Sequence, residues 1–194
     1  MPRIYAYVIT HDYGFAPNPY EGICTLATCK PQIRKRAMPG DWLVGSASTT
    51  NGLGNSVVYA AKIDRVCTME EYGCLPEFER KRPSIAGMPH RRHGDNIYYF
   101  DDGNWQMRRN PHHSQLHREH DLSGQNVLIA ETFWYFGTNP QPLPTELLPI
   151  IKKGPGHKCT SDPQAFELLE LWLGAFPQGM TGSPAERKFQ GAPA

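Results

Sequence analysis

Long apolar runs are missing from this sequence: no stretch approaches the roughly 20 apolar residues that a membrane span needs. Met1-Pro2-Arg3 leads straight into a strand-like segment with no signal-type apolar region, so the chain reads as soluble and cytoplasmic, with no membrane partner. Cysteine is scarce and odd in number, 5 in all with irregular spacing and no Cys-x-x-Cys, which excludes a secreted disulfide framework and a paired zinc site. An excess of one charge sign is absent too. With 20 Lys and Arg against 19 Asp and Glu the net charge is +1, so attraction to nucleic acid has to come from a local patch. Neither a Gly-x-Gly-x-x-Gly fingerprint nor a Gly-Lys-Ser/Thr phosphate loop occurs, which disfavours chemistry driven by NAD or ATP. The His-x-Glu and Pro-Cys-x-x-Cys pattern of zinc deaminases is absent as well.

What the chain does have is bulk for one core. It has 194 residues, 39% of them hydrophobic, with 4 Trp, 9 Tyr and 8 Phe. Its 18 Gly and 18 Pro, against roughly 12% for the pair in average usage, predict many turns and long connections instead of a helical bundle. Ile4–Ile9 reads as a strand, 28–38 as a short basic helix opened by Pro31, and Trp42–Gly45 with Val57–Val66 as an antiparallel hairpin across the polar loop 49–55. Thr68-Met-Glu-Glu71 is a capping box that opens a helix. Asn96–Phe100 and Trp105–Met107 read as a second hairpin and 126–137 as one more strand. A short helix is expected over Leu143–Ile151, and a longer one over Ser161–Phe176 with Ser161 as its cap. The expected architecture is α+β, a curved, mostly antiparallel sheet or a small β-barrel flanked by helices. One domain covers 1–176 and a flexible tail 177–194.

Four runs carry a resemblance: His11-Asp12-x-Gly14-Phe15-Ala16-Pro17-Asn18-Pro19, Cys24-Thr-Leu-Ala-x-Cys29-Lys-Pro-x-Ile-Arg34, Gly94-Asp95-Asn96-Ile97-Tyr98 and Phe133-Trp-Tyr-Phe-Gly137. Together they resemble the nucleotide modification associated domain 2 family over most of the chain up to about Pro149. The Lys-Pro, Gly-Asp-Trp-Leu-Val and Val-x-Tyr-Ala-Ala-Lys-Ile series is also similar in layout to the PUA-like superfamily of small barrels that recognise bases. The first resemblance implies association with DNA base modification in bacteria and their phages, and neither supplies catalytic residues.

The residues themselves offer several constellations. Between Arg80 and Arg118 eight basic residues face three acidic ones, with five of the eight histidines and the aromatics Tyr98, Tyr99, Phe100 and Trp105 interleaved. That is the mixture of phosphate-pairing charge and stacking surface a flipped base or single strand requires. Lys30, Arg34, Arg91 and Arg92 are the expected phosphate contacts, and Trp42, Tyr98 or Trp105 the expected stacking partners. Proton-transfer candidates are His11 with Asp12, and Asp95 at a strand start. Cys24 or Cys29 is the candidate nucleophile, activated by Lys30 or a helix start. His113 and His117 have the i, i+4 spacing of a divalent-metal pair, but no His-Glu-x-x-His accompanies them and no cofactor is expected. The expected function is modification of a nucleic-acid base held in an aromatic pocket with a basic rim. The rivals are a non-catalytic reader of modified bases and a nucleoside amidohydrolase or ribonuclease, and the expected partners are DNA, nucleotides and other base-modification proteins.

Overall fold

A computed structural model describes residues 1–48, 53–86 and 88–185. In chain order the strands are β1 (Ile4–Ile9), β2 (Cys24–Leu26), β3 (Trp42–Ala47), β4 (Ser56–Lys62), β5 (Arg65–Thr68), β6 (Tyr98–Asp101), β7 (Asn104–Met107), β8 (Asn126–Ala130), β9 (Thr132–Tyr135), β10 (Gln141–Pro142), β11 (His157–Thr160) and β12 (Gly179–Met180). The α-helices are α1 (Pro31–Arg34), α2 (Met69–Cys74), α3 (Arg118–Leu122) and α4 (Pro163–Leu173), with 3-10 segments at Pro76–Lys81, Pro89–His93, Gln115–His117 and Thr145–Ile150. No helix among the described residues is long and apolar enough to cross a membrane.

Alternation along the strands explains the layering. In β1, Tyr5, Tyr7 and Ile9 share one buried cluster with Leu43 and Tyr59, while Ile4 and Ala6 join Trp42, Val44 and Trp134 in another. The main sheet, in the order β11-β1-β3-β4-β9-β12 with β10 also on β4, is therefore apolar on both faces. One face is covered by α4 through Leu169 and Leu173 and by the 3-10 turn at Leu147 and Ile150. The other lies against a three-stranded sheet, β2-β8-β5, whose Leu128 and Ala130 point to the main sheet and whose Val127 and Ile129 point away, to Tyr72, Phe78 and Tyr98.

The α+β expectation holds, but the sheets of the described residues stay open and none closes into a barrel. The reason sits at two corners where the sequence reads as continuous strand. The segments 57–66 and 126–137 each break in the middle and change sheets, β4 to β5 and β8 to β9. Asp64 pins both breaks at once: its amide donates to Ile129 O at 2.9 Å, and its Oδ2 accepts the Glu131 and Thr132 amides at 2.6 and 3.2 Å.

Other expectations meet the structure closely. The capping box at Thr68 forms in both directions, and such a cap contributes about 1 kcal/mol. The hairpin β6–β7 pairs in register across Asp101 and Asn104. The basic helix shrinks to one turn, α4 is capped by Asp162 in place of Ser161, and 145–150 is 3-10, with Pro149 inside it. Within the expected tail, β12 pairs with β9, and Thr138 donates to Ser183 O at 2.8 Å, so 177–185 is docked; 186–194, like 49–52 of the expected polar loop, lies outside the described residues.

Candidate active site

The chain leaves β2 at Leu26 and must turn sharply to enter α1. Two successive non-glycine residues, Cys29 at φ 56° and Lys30 at φ 41°, take the left-handed conformation to do so. Such a pair stores backbone strain, which persists only where the surroundings hold it. Here the holding groups are specific. The Cys29 amide donates to Asp121 Oδ1 at 2.8 Å, and its carbonyl accepts Arg34 Nε at 2.8 Å. Arg34 is itself fully buried and also donates to the carbonyls of Asn126, at 2.8 Å, and Asp121. Gly124 makes room for it, because a Cβ there would stand 2.4 Å from the guanidinium.

The loop before α3 brings the second component. Asn110 Oδ1 accepts the amides of His112 and His113 at 2.9 and 2.7 Å, folding 110–113 into a tight turn. His113 then lies between two partners: Nε2 is 3.6 Å from Cys29 Sγ, and Nδ1 is 2.5 Å from Asp121 Oδ2. Tyr98 donates its hydroxyl to the same Asp121 oxygen at 2.9 Å. Asp121 is completely buried, so its charge is balanced by these donors and not by water.

Although burial opposes the charged form, the hydrogen bonds to Asp121 and Cys29 prevail and raise His113 to about 9. Burial would raise Asp121, but the bonds from His113, Cys29 and Tyr98 hold it below the usual carboxylate range. An imidazole backed by a carboxylate and facing a cysteine sulfur is the order of groups used in cysteine–histidine nucleophilic sites.

These groups open onto a cleft of about 370 Å³ lined by Tyr7, Thr10, His11, Tyr13, Phe15, Cys29, Lys30, His112, His113 and His117 among others. Its wall is a run of rings. His11 stacks on Tyr13 at 5.9 Å, Tyr13 on His112 at 5.0 Å, and Phe15 meets His112 and His113 at 4.7 and 4.9 Å. Burial and the neighbouring His93 and His113 push His112 down to about 3, so this ring is neutral and serves as flat surface. Lys30, over the Tyr7 ring at 4.7 Å, is the cation at the edge.

A metal fits this cluster poorly. One ligand atom each of Cys29, His113 and Asp121 lies within 4.8 Å of the others, which is compact enough for an ion. Yet an ion ligated by both His113 and Asp121 would have to break the bond of 2.5 Å between them. The rings of His113 and His117 stack at 4.5 Å and 17°, and both nitrogens of His113 are engaged, so the i, i+4 pair does not chelate without rearrangement.

The candidates from sequence divide sharply. Cys29, Lys30 and His11 reach the cleft. Asp12 stands beside it, its Oδ1 accepting the Tyr135 hydroxyl and the Gly14 amide, and burial raises its carboxyl. Cys24 does not reach it: it is 3% exposed in β2, and burial pushes its thiol up to about 12, so of the two candidate thiols only Cys29 borders the cleft. Asp95 is sealed in the core, accepting the hydroxyls of Thr25 and Tyr72 at 2.7 Å each, and is not placed to exchange protons with a bound molecule. Arg34 is a buried strut and not a phosphate contact.

The expected stacking residues are placed elsewhere. Trp42 packs on Trp134 beneath α4 and Tyr98 is used by Asp121. Trp105 meets Phe100 on the β6–β7 hairpin. Arg92 lines a shallow cavity with Arg109, and Arg91 a wide groove of about 840 Å³ with Arg80, Glu21 and Glu131, where charges of both signs meet and no nucleophile is present. Asp121 and the pairing role of His113 were missed. The only sequence signal was the crowding of His112, His113, His117, His120 and Asp121 into one segment, which reads more readily as surface or phosphate-pairing histidines than as a metal cluster.

Fold and site together define an α+β protein with a cysteine–histidine–aspartate relay at the wall of an aromatic cleft. The chain matches the family model described as nucleotide modification associated domain 2 over residues 1–191, and it belongs to that family. No curated protein and no solved structure matches it.

Proposed function

We propose that the chain is a cysteine-dependent enzyme of nucleotide modification, working by acyl transfer or amide hydrolysis on a nucleobase or on a group attached to one. The observation that carries this reading is the alignment of Cys29 Sγ, the two His113 nitrogens and Asp121, at 3.6 and 2.5 Å. In this reading Cys29 forms a bond to a carbonyl carbon, and His113 gives its proton to the departing nitrogen or oxygen. The thioester is then broken by an incoming amine or water whose proton returns to His113, which restores the thiolate. Asp121 holds the imidazole in one tautomer throughout, and the Tyr13, Phe15 and His112 rings receive the flat base. The family description supports the nucleotide half of this statement and the relay supports the chemical half.

A non-catalytic reader has no use for a strained cysteine whose amide, carbonyl and sulfur are all held. The deciding experiment is mass spectrometry of nucleosides from cells expressing the wild type, Cys29→Ala or His113→Ala. A nucleoside that appears or disappears with the wild type alone, together with a covalent adduct on Cys29 in the intact protein, is the expected result. An unchanged profile with no adduct would overturn the enzyme reading in favour of the reader.

A further inference from the structure

β1 and β3 run parallel in the middle of an otherwise mostly antiparallel sheet. Crevices at the carboxyl ends of parallel strands are the common place for ligands in open sheets. At that end, a second cavity of about 340 Å³ is lined by Val8 near the end of β1 and Thr10 after it, Ala47 at the end of β3 and Ser48 after it, and the segment 152–156 that leads into β11. Lys30 lines this cavity as well as the cysteine cleft, and so do Val8 and Thr10, so the two compartments adjoin along these residues.

The chemistry of the second compartment differs from that of the first. Among the described residues no aromatic ring lines it; Lys30, Lys152 and Lys153 border it from two distant chain segments, together with Thr10 and Ser48. No acidic residue lines either compartment among the described residues. None of the three lysines is within ion-pair distance of a described carboxylate. Gly154 at φ 75° and Gly156 at φ 88° let the Lys-Lys-Gly-Pro-Gly segment curl in a way that residues with a Cβ resist. Three lysines and no carboxylate around a space of this size suit a phosphate; Lys30 Nζ, over the Tyr7 ring, and Lys152 Nζ, which donates to Lys153 O at 2.7 Å, would turn from those partners to reach it.

Resting on the cysteine-enzyme reading, we infer that the substrate is a nucleotide and not a free nucleoside: Lys30, Lys152 and Lys153 hold its phosphate in the second compartment while its base lies along the aromatic wall beside Cys29. Lys30 stands at the junction, next in sequence to the nucleophile, so phosphate binding there fixes how far the base reaches toward the sulfur. The phosphate belongs either to a mononucleotide or to a strand, and the groove chemistry is common to both.

The test is calorimetric titration of the wild type, Lys152→Ala/Lys153→Ala and Lys152→Arg/Lys153→Arg. The probes are the four deoxynucleosides, their monophosphates and single-stranded trinucleotides. The wild type should bind a monophosphate or trinucleotide at least about tenfold more tightly than the matching nucleoside. The double alanine variant should lose that ratio and the double arginine variant should keep it. An advantage confined to the trinucleotide assigns the phosphate to a strand; an advantage already present with the monophosphate assigns it to a free nucleotide. Equal binding of nucleoside and phosphorylated probes by the wild type, or a ratio untouched in the alanine variant, would overturn the inference. Iodoacetamide labelling of the wild type separates the two readings: no preference for phosphorylated probes with Cys29 labelled selectively refutes only the lysine cradle, whereas the expected preference, lost in the alanine variant, with Cys29 no more reactive than the exposed Cys74 and Cys159 refutes only the cysteine chemistry.

Discussion

Two clusters of ionisable side chains flank the same strand, β2, and they invite comparison because their ingredients are nearly the same. At one end Cys24 sits near Lys81 and Asp95; beyond the other end Cys29 meets His113 and Asp121. The first is closed. Lys81 is 2% exposed and donates to Asn18 O, Asn18 Oδ1, Tyr20 O and Ile23 O at 2.7 to 3.1 Å, and Asp95 is fully buried against Thr25 and Tyr72. This network ties the loop 18–23 to the 3-10 segment Pro76–Lys81, and every polar atom in it works for the fold. The second cluster borders a cleft, and its sulfur stays partly exposed. A cysteine in a regular strand points where the sheet directs it. One in a left-handed turn can be presented at a surface, and that difference separates a thiol closed in the core from one that borders a cleft.

The largest expected effect is on chemistry. Cys29→Ala should lower turnover by about a thousandfold or more while leaving the melting temperature nearly unchanged, as measured by nucleoside mass spectrometry and calorimetry on one preparation. Cys24→Ala should do the reverse, lowering stability with turnover kept; loss of turnover in Cys24→Ala would break the contrast between the two thiols.

Next in size is the closed network. Lys81→Ala removes the buried ammonium from four oxygen acceptors, leaving Tyr20 O and Ile23 O without that donor, and takes away the cation near Asp95; it should cost about 3 to 5 kcal/mol in chemical denaturation. A cost below about 1 kcal/mol would mean that the network is not the fastening it resembles.

A smaller effect comes from pH. Because His113 is raised from 6.5 to about 9 in the folded chain, the stability it contributes with Asp121 is complete below about 6.5 and is lost as pH rises through 9. Unfolding free energy measured between pH 6 and pH 10 should fall over that window, about 6.5 to 9, and Asp121→Asn should flatten the fall. His112 has the opposite sign: held at about 3, it makes stability drop as pH falls from about 6.5 toward 3, and His112→Phe should remove that part of the acid sensitivity. The smallest effect is local, since Thr68→Ala should cost about 1 kcal/mol by removing the α2 cap, with Cys29 labelling unaffected.

Much of the scaffold could be read without coordinates because its signals are short in range. β1, the β3–β4 pair, the Thr68 capping box and the β6–β7 hairpin follow from alternation, caps and turns among residues a few positions apart. The corners at Asp64 and Glu131 could not be read, because an unbroken β-rich run looks the same whether it continues in one sheet or crosses to another. The basic residues misled for a related reason. Arg34 and Lys81 carry the charge that suggests a phosphate-binding surface, but both are buried where carbonyl groups crowd around them.

The sequence by itself determined the class of fold, the family resemblance, the absence of familiar cofactor motifs and a set of candidates in which Cys29 stands beside Cys24 as a thiol, Lys30 as a phosphate contact and His113 only as half of a disfavoured metal pair. Tertiary structure decided which of them meet. Residues 29, 113 and 121 come together across more than 80 positions of chain, through a turn held by Arg34, a loop folded by Asn110 and a carboxylate buried under Tyr98. Contacts of that separation depend on how whole layers pack, and a strained backbone conformation survives only inside the packing that holds it. That is why a local reading of the sequence left Cys24 and Cys29 as equal choices and the packed chain does not.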